Sequence, residues 1–352
     1  MKRLILFSLA GILLLSCEKD RNNEPPSDFH GTWKGTWTTN DNSMHGNFVA
    51  PANQSGDEIT GEVFVNILFP DEEGYRPDYT ANVDGDEARV LFRVSGVDIQ
   101  VKANLISESE ISGTFLVPGY FEGTFSGTKS PLTIASTTDI YTIHETEAWY
   151  ENMYRVDNQF WLLNYMTSLF EVVDQSGNLV GTRDAEMIGF HPAFSDGTFF
   201  WVYGKDYYNL NNAVYKMTSE GEILDSILMK RDNLEALYVK DDVLYCSFFA
   251  GRSICEVDNN GNLIDSVTVD FLYPTDYIVY PDGILVAASY SPYIFYIDYQ
   301  GNILYTYQVE NGIYSMIEGE NGEYYCFTDE LIYGDGEVSD TYRVIKFNLN
   351  LP

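Results

Sequence analysis

The sequence predicts an all-β protein in two parts, a small antiparallel β-barrel followed by a five-bladed β-propeller. Three observations carry this expectation. A hairpin phrase recurs as Phe170-Glu-Val-Val-Asp-Gln-Ser-Gly177, Tyr215-Lys-Met-Thr-Ser-Glu-Gly221, Cys255-Glu-Val-Asp-Asn-Asn-Gly261 and Phe295-Tyr-Ile-Asp-Tyr-Gln-Gly301, with glycines 44, 40 and 40 residues apart. Each phrase is an alternating strand closed by an Asp/Asn/Gly turn, and hairpins at this period mark propeller blades. A second repeat opens at Gln159, Thr198, Val243, Gly283 and Glu323, each time just after a turn holding Asp157, Asp196, Asp241, Asp282 or Asn321. Ahead of these repeats, residues 29–129 read as short alternating runs such as Ala88-Arg-Val-Leu-Phe-Arg-Val94, punctuated by Gly61, Gly113, Gly123 and Gly127, with no competing helical stripe.

The N-terminus is a targeting segment. Lys2-Arg3 is followed by an apolar run over residues 4–15, too short for a permanent bilayer span. The exit Leu14-Leu15-Ser16-Cys17 resembles the lipobox of bacterial lipoproteins. That resemblance implies cleavage after residue 16, lipidation of Cys17, and anchoring of the mature chain to the outer membrane by its acyl chains. The alternative is a plain secretory signal. Residues 17–28 hold Glu-Lys-Asp-Arg-Asn-Asn-Glu-Pro-Pro-Ser, which reads as a flexible tether. Glu18 in place of aspartate lacks the best-known inner-membrane retention signal, and the Lys-Asp pair behind Cys17 resembles the export signal of surface lipoproteins. Both surface-exposed and periplasm-facing placements stay open.

The first domain opens His30-Gly-Thr-Trp33-Lys-Gly-Thr-Trp37. Its Gly31-x-Trp33 resembles the opening of lipocalins and lipocalin-like domains, which implies a barrel around an apolar cavity. The rest of that signature is not evident, so a filled core with Trp33 and Trp37 as packing residues is expected instead. Ser130-Pro131 marks the boundary with the propeller, residues 132–352. Its fifth repeat ends on Tyr342-Arg-Val-Ile-Lys-Phe-Asn348 with no fourth strand after it, and the spare strand Asp139-Ile-Tyr-Thr-Ile143 is expected to fill that place. A sixth blade results if residues 132–150 belong to another one. The repeat resembles NHL-like propellers of extracytoplasmic bacterial proteins, a fold that hosts many functions.

Composition narrows the partners. The formal charge is −33, and losing Lys2 and Arg3 with residues 1–16 makes it −35, which excludes binding to a phosphate backbone. No nucleic-acid partner is expected. Cys246, Cys255 and Cys326 remain after lipidation, so at most one disulfide forms. No Cys or His spacing makes a zinc site, and no cofactor is expected. Calcium is the exception left open, because Asp258-Asn-Asn-Gly-Asn262 looks ligand-like, although the repeat explains it as a turn.

A site in a propeller belongs at the channel mouth. Counting six residues back from each turn anchor gives Glu151, Phe190, Glu235, Asp276 and Ser315, three of them acidic at one end of the inner strands. Carboxylates are depleted in strands, so Glu151, Glu235 and Asp276 form a candidate acidic cluster. The alternative is that 53 acidic residues make three such matches unremarkable. The neighbouring loops carry Tyr165, Tyr207, Tyr208, Arg252, Tyr290, Tyr293 and Tyr333, a candidate face for sugar rings or peptide side chains. No Gly-x-Ser-x-Gly elbow, phosphate loop or dinucleotide fingerprint occurs, and no stretch matches the motifs of plant-type glutaminyl cyclotransferases. The favoured reading is a lipid-anchored extracytoplasmic binding protein for a glycan, peptide or protein. The alternatives are a glycoside hydrolase-type enzyme using the channel carboxylates, and an envelope assembly scaffold. Oligomeric state is not legible.

Overall fold

The computed structural model describes residues 28–65, 78–94, 97–144, 150–164, 166–184, 193–204, 212–248, 251–269, 274–288, 291–320, 322–329, 341–349 and 351. Among them every regular element is a strand. The barrel comprises β1 (Gly31–Thr39), β2 (His45–Ser55), β3 (Glu58–Glu62), β4 (Phe64–Val65), β5 (Asp78–Asp84), β6 (Glu87–Val94), β7 (Val97–Ser107), β8 (Glu110–Val117) and β9 (Phe121–Ser130). The antiparallel order is β1-β9-β8-β7-β6-β5-β3-β2-β4, and β1 also pairs with β2, closing the sheet. Closure removes the open edges that a meander would otherwise leave. Two glycines let rings lie over the neighbouring strand: a Cβ on Gly113 would lie 2.5 Å from the Phe125 ring, and one on Gly123 would lie 2.4 Å from the Phe115 ring. The barrel core gathers Phe29, Trp33, Trp37, Phe48 and Ile59.

Two short strands leave the barrel, β10 (Leu132–Ile134) and β11 (Thr138–His144). Blade 1 is β12 (Tyr150–Val156), β13 (Gln159–Asn164), β14 (Leu169–Val173) and β15 (Leu179–Asp184). Blade 2 is β16 (Ala193–Ser195), β17 (Phe200–Gly204), β18 (Ala213–Met217) and β19 (Ile223–Leu228). Blade 3 is β20 (Leu234–Lys240), β21 (Val243–Phe248), β22 (Ser253–Val257) and β23 (Leu263–Thr268). Blade 4 is β24 (Pro274–Tyr280), β25 (Gly283–Ala288), β26 (Tyr293–Ile297) and β27 (Ile303–Gln308). Blade 5 is β28 (Gly312–Glu318), β29 (Glu323–Asp329) and β30 (Thr341–Asn348), completed by β11 on the outer side of β30. The spare strand therefore closes the ring as the sequence implies, and the blade count is five. Unforeseen is β10, which pairs parallel with β27 as a fifth strand of blade 4.

Neighbouring blades bury their faces against each other in five apolar seams, one per pair around the ring. In the seam of blades 1 and 2, Phe170 and Phe200 are fully buried and stack at 6.3 Å. Each such ring contributes about 1.5–3 kcal/mol by leaving water. The repeat glycines set the spacing. Gly177, Gly261 and Gly301 hold φ of +81°, +72° and +80°. A Cβ on them would meet, at about 2 Å, the carbonyl oxygens of Ile140, Leu228 and Thr268, each on the outer strand of the preceding blade. Glycine is thus required twice over, by backbone handedness and by contact.

The barrel docks on blade 4. Val49 and Phe64 join the apolar seam of blades 3 and 4, and Phe64 meets Phe295 edge-on at 5.6 Å. Lys34 Nζ donates to the Gly301 carbonyl at 3.2 Å, and Glu62 accepts a hydrogen bond from Ser291 Oγ at 2.7 Å.

Replacing Gly261 by alanine is expected to destabilise the chain by about 2 kcal/mol or more, through the strained φ and the Leu228 carbonyl. Thermal unfolding of Gly261→Ala beside Gly56→Ala, a loop glycine with open space around it, checks this. The loop variant bears the φ cost alone, so equal melting temperatures would refute the contact.

Candidate functional site

Strand alternation in the barrel sends one face of every strand inward, and those inward residues enclose a cavity of about 190 Å³. Trp33, Trp37, Phe48, Phe115 and Phe125 line it, with Ala52, Ala88 and Ala103 leaving the room that larger side chains would fill. The filled core expected from the sequence is corrected here: Trp33 and Trp37 form walls around a hollow. Alternation shows which residues point inward, but the fill depends on the closed circumference of the sheet, which the chain does not spell out locally.

Two polar groups of the wall are turned to the backbone, while Trp37 Nε1 is buried with no hydrogen-bond partner among the described residues. Tyr79 Oη donates to the Pro51 carbonyl at 2.9 Å, and Trp33 Nε1 donates to the Phe29 carbonyl at 2.9 Å. Burial pushes the Tyr79 hydroxyl well above the usual phenol range, so it stays neutral. What remains facing the hollow is aromatic and aliphatic. Such a surface accepts a neutral apolar molecule and rejects charge, because nothing in the wall repays the desolvation of an ion.

The second candidate is the propeller mouth, where the acidic set proves to be two different positions. Met153, Leu237, Tyr277 and Met316 are equivalent, pairing with Leu162, Cys246, Val286 and Cys326 on the next strand. Just before each, the register shifts by a bulge. Glu151 and Glu235 lie two residues ahead of these anchors, with Thr275 and Tyr314 as their counterparts. Asp276 lies one residue ahead, equivalent to Asn152, Ala236 and Ser315. The offset comes from the turns. Asp157-Asn158 and Asp241-Asp242 take positive φ throughout, whereas blade 4 turns on Pro281-Asp282, and proline cannot adopt a positive φ. Asp282 is thus the second turn residue, and counting back from it lands one place late.

Asp276 and Ser315 share a structural role that this position explains. The Asp276 carboxylate accepts from Tyr277 N at 2.8 Å and from Met316 N, in blade 5, at 2.6 Å. Ser315 Oγ accepts from Met153 N, in blade 1, at 3.0 Å. Each side chain staples its blade to the next inner strand, offering an acceptor to a backbone N–H that the bulge leaves outside the ladder. Burial pushes the Asp276 carboxyl up to about 7, against the pull of its two N–H donors. Glu235, half-buried, is raised by burial as well. The backbone of Glu151 lies in β12, but its side chain is outside the described residues. Among the described residues no group of three His, Cys, Asp or Glu is placed to hold a metal ion. Asp258 holds its own turn, accepting from the Asn262 side-chain amide and from Asn262 N and Asn260 N, all at 2.8 Å, and these bonds lower its carboxyl to about 2.

Of the candidate aromatic face, Tyr165, Tyr207, Tyr208, Tyr290 and Tyr333 lie outside the described residues. Arg252 is half-buried, and its carbonyl accepts from Val269 N at 2.7 Å. Tyr293 is corrected: it is 1 % exposed and packs in the seam where the barrel docks, so it cannot meet a ligand at the mouth. Cys246, Cys255 and Cys326 are all buried free thiols, and burial pushes Cys246 up to about 12. Sequence reasoning missed the Glu62–Ser291 contact. Its only signal was an acid opening the apolar run Val63-Phe64-Val65.

No family model and no curated protein matches the chain. Among solved structures it is similar to the Myxococcus xanthus glutaminyl cyclase, at 12% identity over 62% of this chain and 99% of that one, with a TM-score of 0.44. It is similar to a protein of unknown function from Bacteroides caccae, at 12% identity over 53% and 73%, with a TM-score of 0.37. It is also similar to a redesigned β-barrel, mFAP1, bound to DFHBI, at 16% identity over 28% and 94%, with a TM-score of 0.25. At these scores none bears on function.

The raised Asp276 carboxyl has a signed consequence. Between about pH 4 and pH 7 the folded state holds a proton that the unfolded chain has released, so this group's contribution falls as pH rises through that window. Asp276→Asn cannot titrate there, and its single amide oxygen accepts from only one of the Tyr277 and Met316 N–H groups. The melting-temperature advantage of the wild type over Asp276→Asn is therefore expected to shrink from pH 4 to pH 8. A constant gap would show an ordinary carboxyl.

Proposed function

We propose that this chain is a lipid-anchored extracytoplasmic binding protein that takes a neutral, apolar small molecule into its barrel. The observation that carries this is the cavity of about 190 Å³ with an aromatic and aliphatic wall. An engineered apolar cavity of about 150 Å³ admits benzene, so this one suits a ligand of one or two rings or a short branched hydrocarbon. The propeller mouth is proposed as a second contact face, for a glycan, peptide or envelope protein, with Arg252 and the loop tyrosines as its reach. Cys17 is the proposed lipid attachment, which leaves both modules outside the cytoplasm with the tether between them and the outer membrane.

The glycosidase reading draws support from the raised carboxyls of Glu235 and Asp276. It is weakened by the two backbone N–H groups already engaging Asp276. A general acid has to present its proton to a substrate, and a carboxylate stapling two blades is badly placed to do so.

Titration with 1-naphthylamine, a neutral two-ring fluorophore whose emission shifts to the blue in apolar surroundings, tests the barrel reading. One probe per chain is expected, with affinity falling about tenfold or more in Ala103→Phe, a loss of about 1.4 kcal/mol. Equal binding to both proteins would move the site elsewhere. Cys17→Ala is expected to leave the chain in the soluble fraction, and its persistence with membranes would overturn the anchor.

A further inference from the structure

We propose that filling the barrel cavity is communicated to the propeller mouth through residues 62–65 and Ser291. The proposal rests on the cavity reading and adds a regulatory link to it. Strand alternation splits this stretch between two environments. Val63 and Val65 line the cavity. Glu62 and Phe64 point the other way, to Ser291 and Phe295 of blade 4. One pleated segment therefore has the hollow on one face and the propeller on the other, and a ligand pressing on Val63 moves the backbone that carries Glu62 and Phe64.

The contacts beyond that wall are stiff. Glu62 is 7 % exposed and Ser291 is fully buried. Their 2.7 Å hydrogen bond is shielded from water, so Ser291 follows Glu62. Ser291 also accepts at its carbonyl from Ile313 N, at 3.1 Å, near the start of inner strand β28. Two and three residues further along that strand are Ser315 and Met316, the staples to blades 1 and 4. Ser291 itself sits in the β25–β26 connection, on the end of blade 4 where the candidate ligand loops emerge. The path from cavity wall to channel-lining backbone thus runs Val63, Glu62, Ser291, Ile313. Close-packed interiors transmit such displacements instead of absorbing them.

Linkage makes the effect mutual, so whatever orders β28 at the mouth also changes affinity in the barrel. The natural readout is amide hydrogen exchange in the full mature chain, with and without saturating 1-naphthylamine. Peptides covering residues 312–318 are expected to exchange about threefold more slowly with probe bound, together with those of the barrel. In Ser291→Ala the fluorescence titration stays as in the wild type while the slowing at 312–318 disappears. Val63→Phe, which fills the hollow from its wall, reproduces that slowing with no probe present. Protection that ends at the barrel despite full probe binding would overturn the link, as would protection at 312–318 that survives Ser291→Ala. A probe that fails to bind would overturn the cavity reading by itself, and the Val63→Phe comparison would then decide the link alone.

Discussion

The pairing of β11 with β30 is the constraint on which the propeller depends. A blade is a sheet with two apolar faces and cannot bury either alone, so each relies on the neighbour on both sides. Four of the five seams join blades that are consecutive in the chain. The fifth, between blades 5 and 1, joins the two ends, and it is filled by Ile143 of β11 with Tyr150, Phe160, Phe327 and Tyr342. Lending its strand to blade 5 lets residues 138–144 hide the edge of β30 and supply part of that seam. The same logic reaches the turn of blade 1, where Gly177 packs on the Ile140 carbonyl as Gly261 and Gly301 pack on outer strands elsewhere. The closing seam therefore copies the ordinary ones.

Against this ring the barrel is not a pendant. It inserts Val49 and Phe64 into an existing seam and covers an outer strand whose equivalents stay bare. Leu263 and Ile264 on blade 3 are 60 % and 58 % exposed, while Ile303, the counterpart of Leu263 on blade 4, is 8 % exposed and belongs to the apolar cluster that Val49 and Phe64 of the barrel join. The docking site is thus a place where the repeat already offered apolar surface, and β10 adds main-chain hydrogen bonds to it.

How much of this was legible follows from the range of the forces involved. The hairpin phrases, their period and the spare strand are local patterns, and they gave blade number, strand order and closure. The acidic set was misread by one residue because Asp282 follows Pro281 as the second turn residue of blade 4, and a count anchored on it inherits the shift, as does the count that lands on Ser315 across the longer turn of blade 5. Tyr293 read as a ligand residue because its loop position matched the others. What buries it is the barrel, some two hundred residues away in the chain. The cavity was invisible for a related reason: Ala52, Ala88 and Ala103 are unremarkable singly, and only the closed sheet brings their missing volume together. Glu62 alone carried a trace, an acid in a run of apolar residues, which is where a buried partner should have been sought.

The contribution of β11 has a bearing on how the chain can be divided. A fragment beginning at Tyr150, the start of blade 1, would lack both β10 and β11, leaving blade 5 with three strands and the β27 edge unpaired. A cut at Pro131 keeps those strands but strips the barrel from the seam of blades 3 and 4, baring Phe295 and Tyr293. The two halves of this molecule are distinct in architecture and still share one boundary surface, so neither is a free-standing module in the way that beads on a string are. Evolution or engineering could exchange one half only by replacing that surface with it.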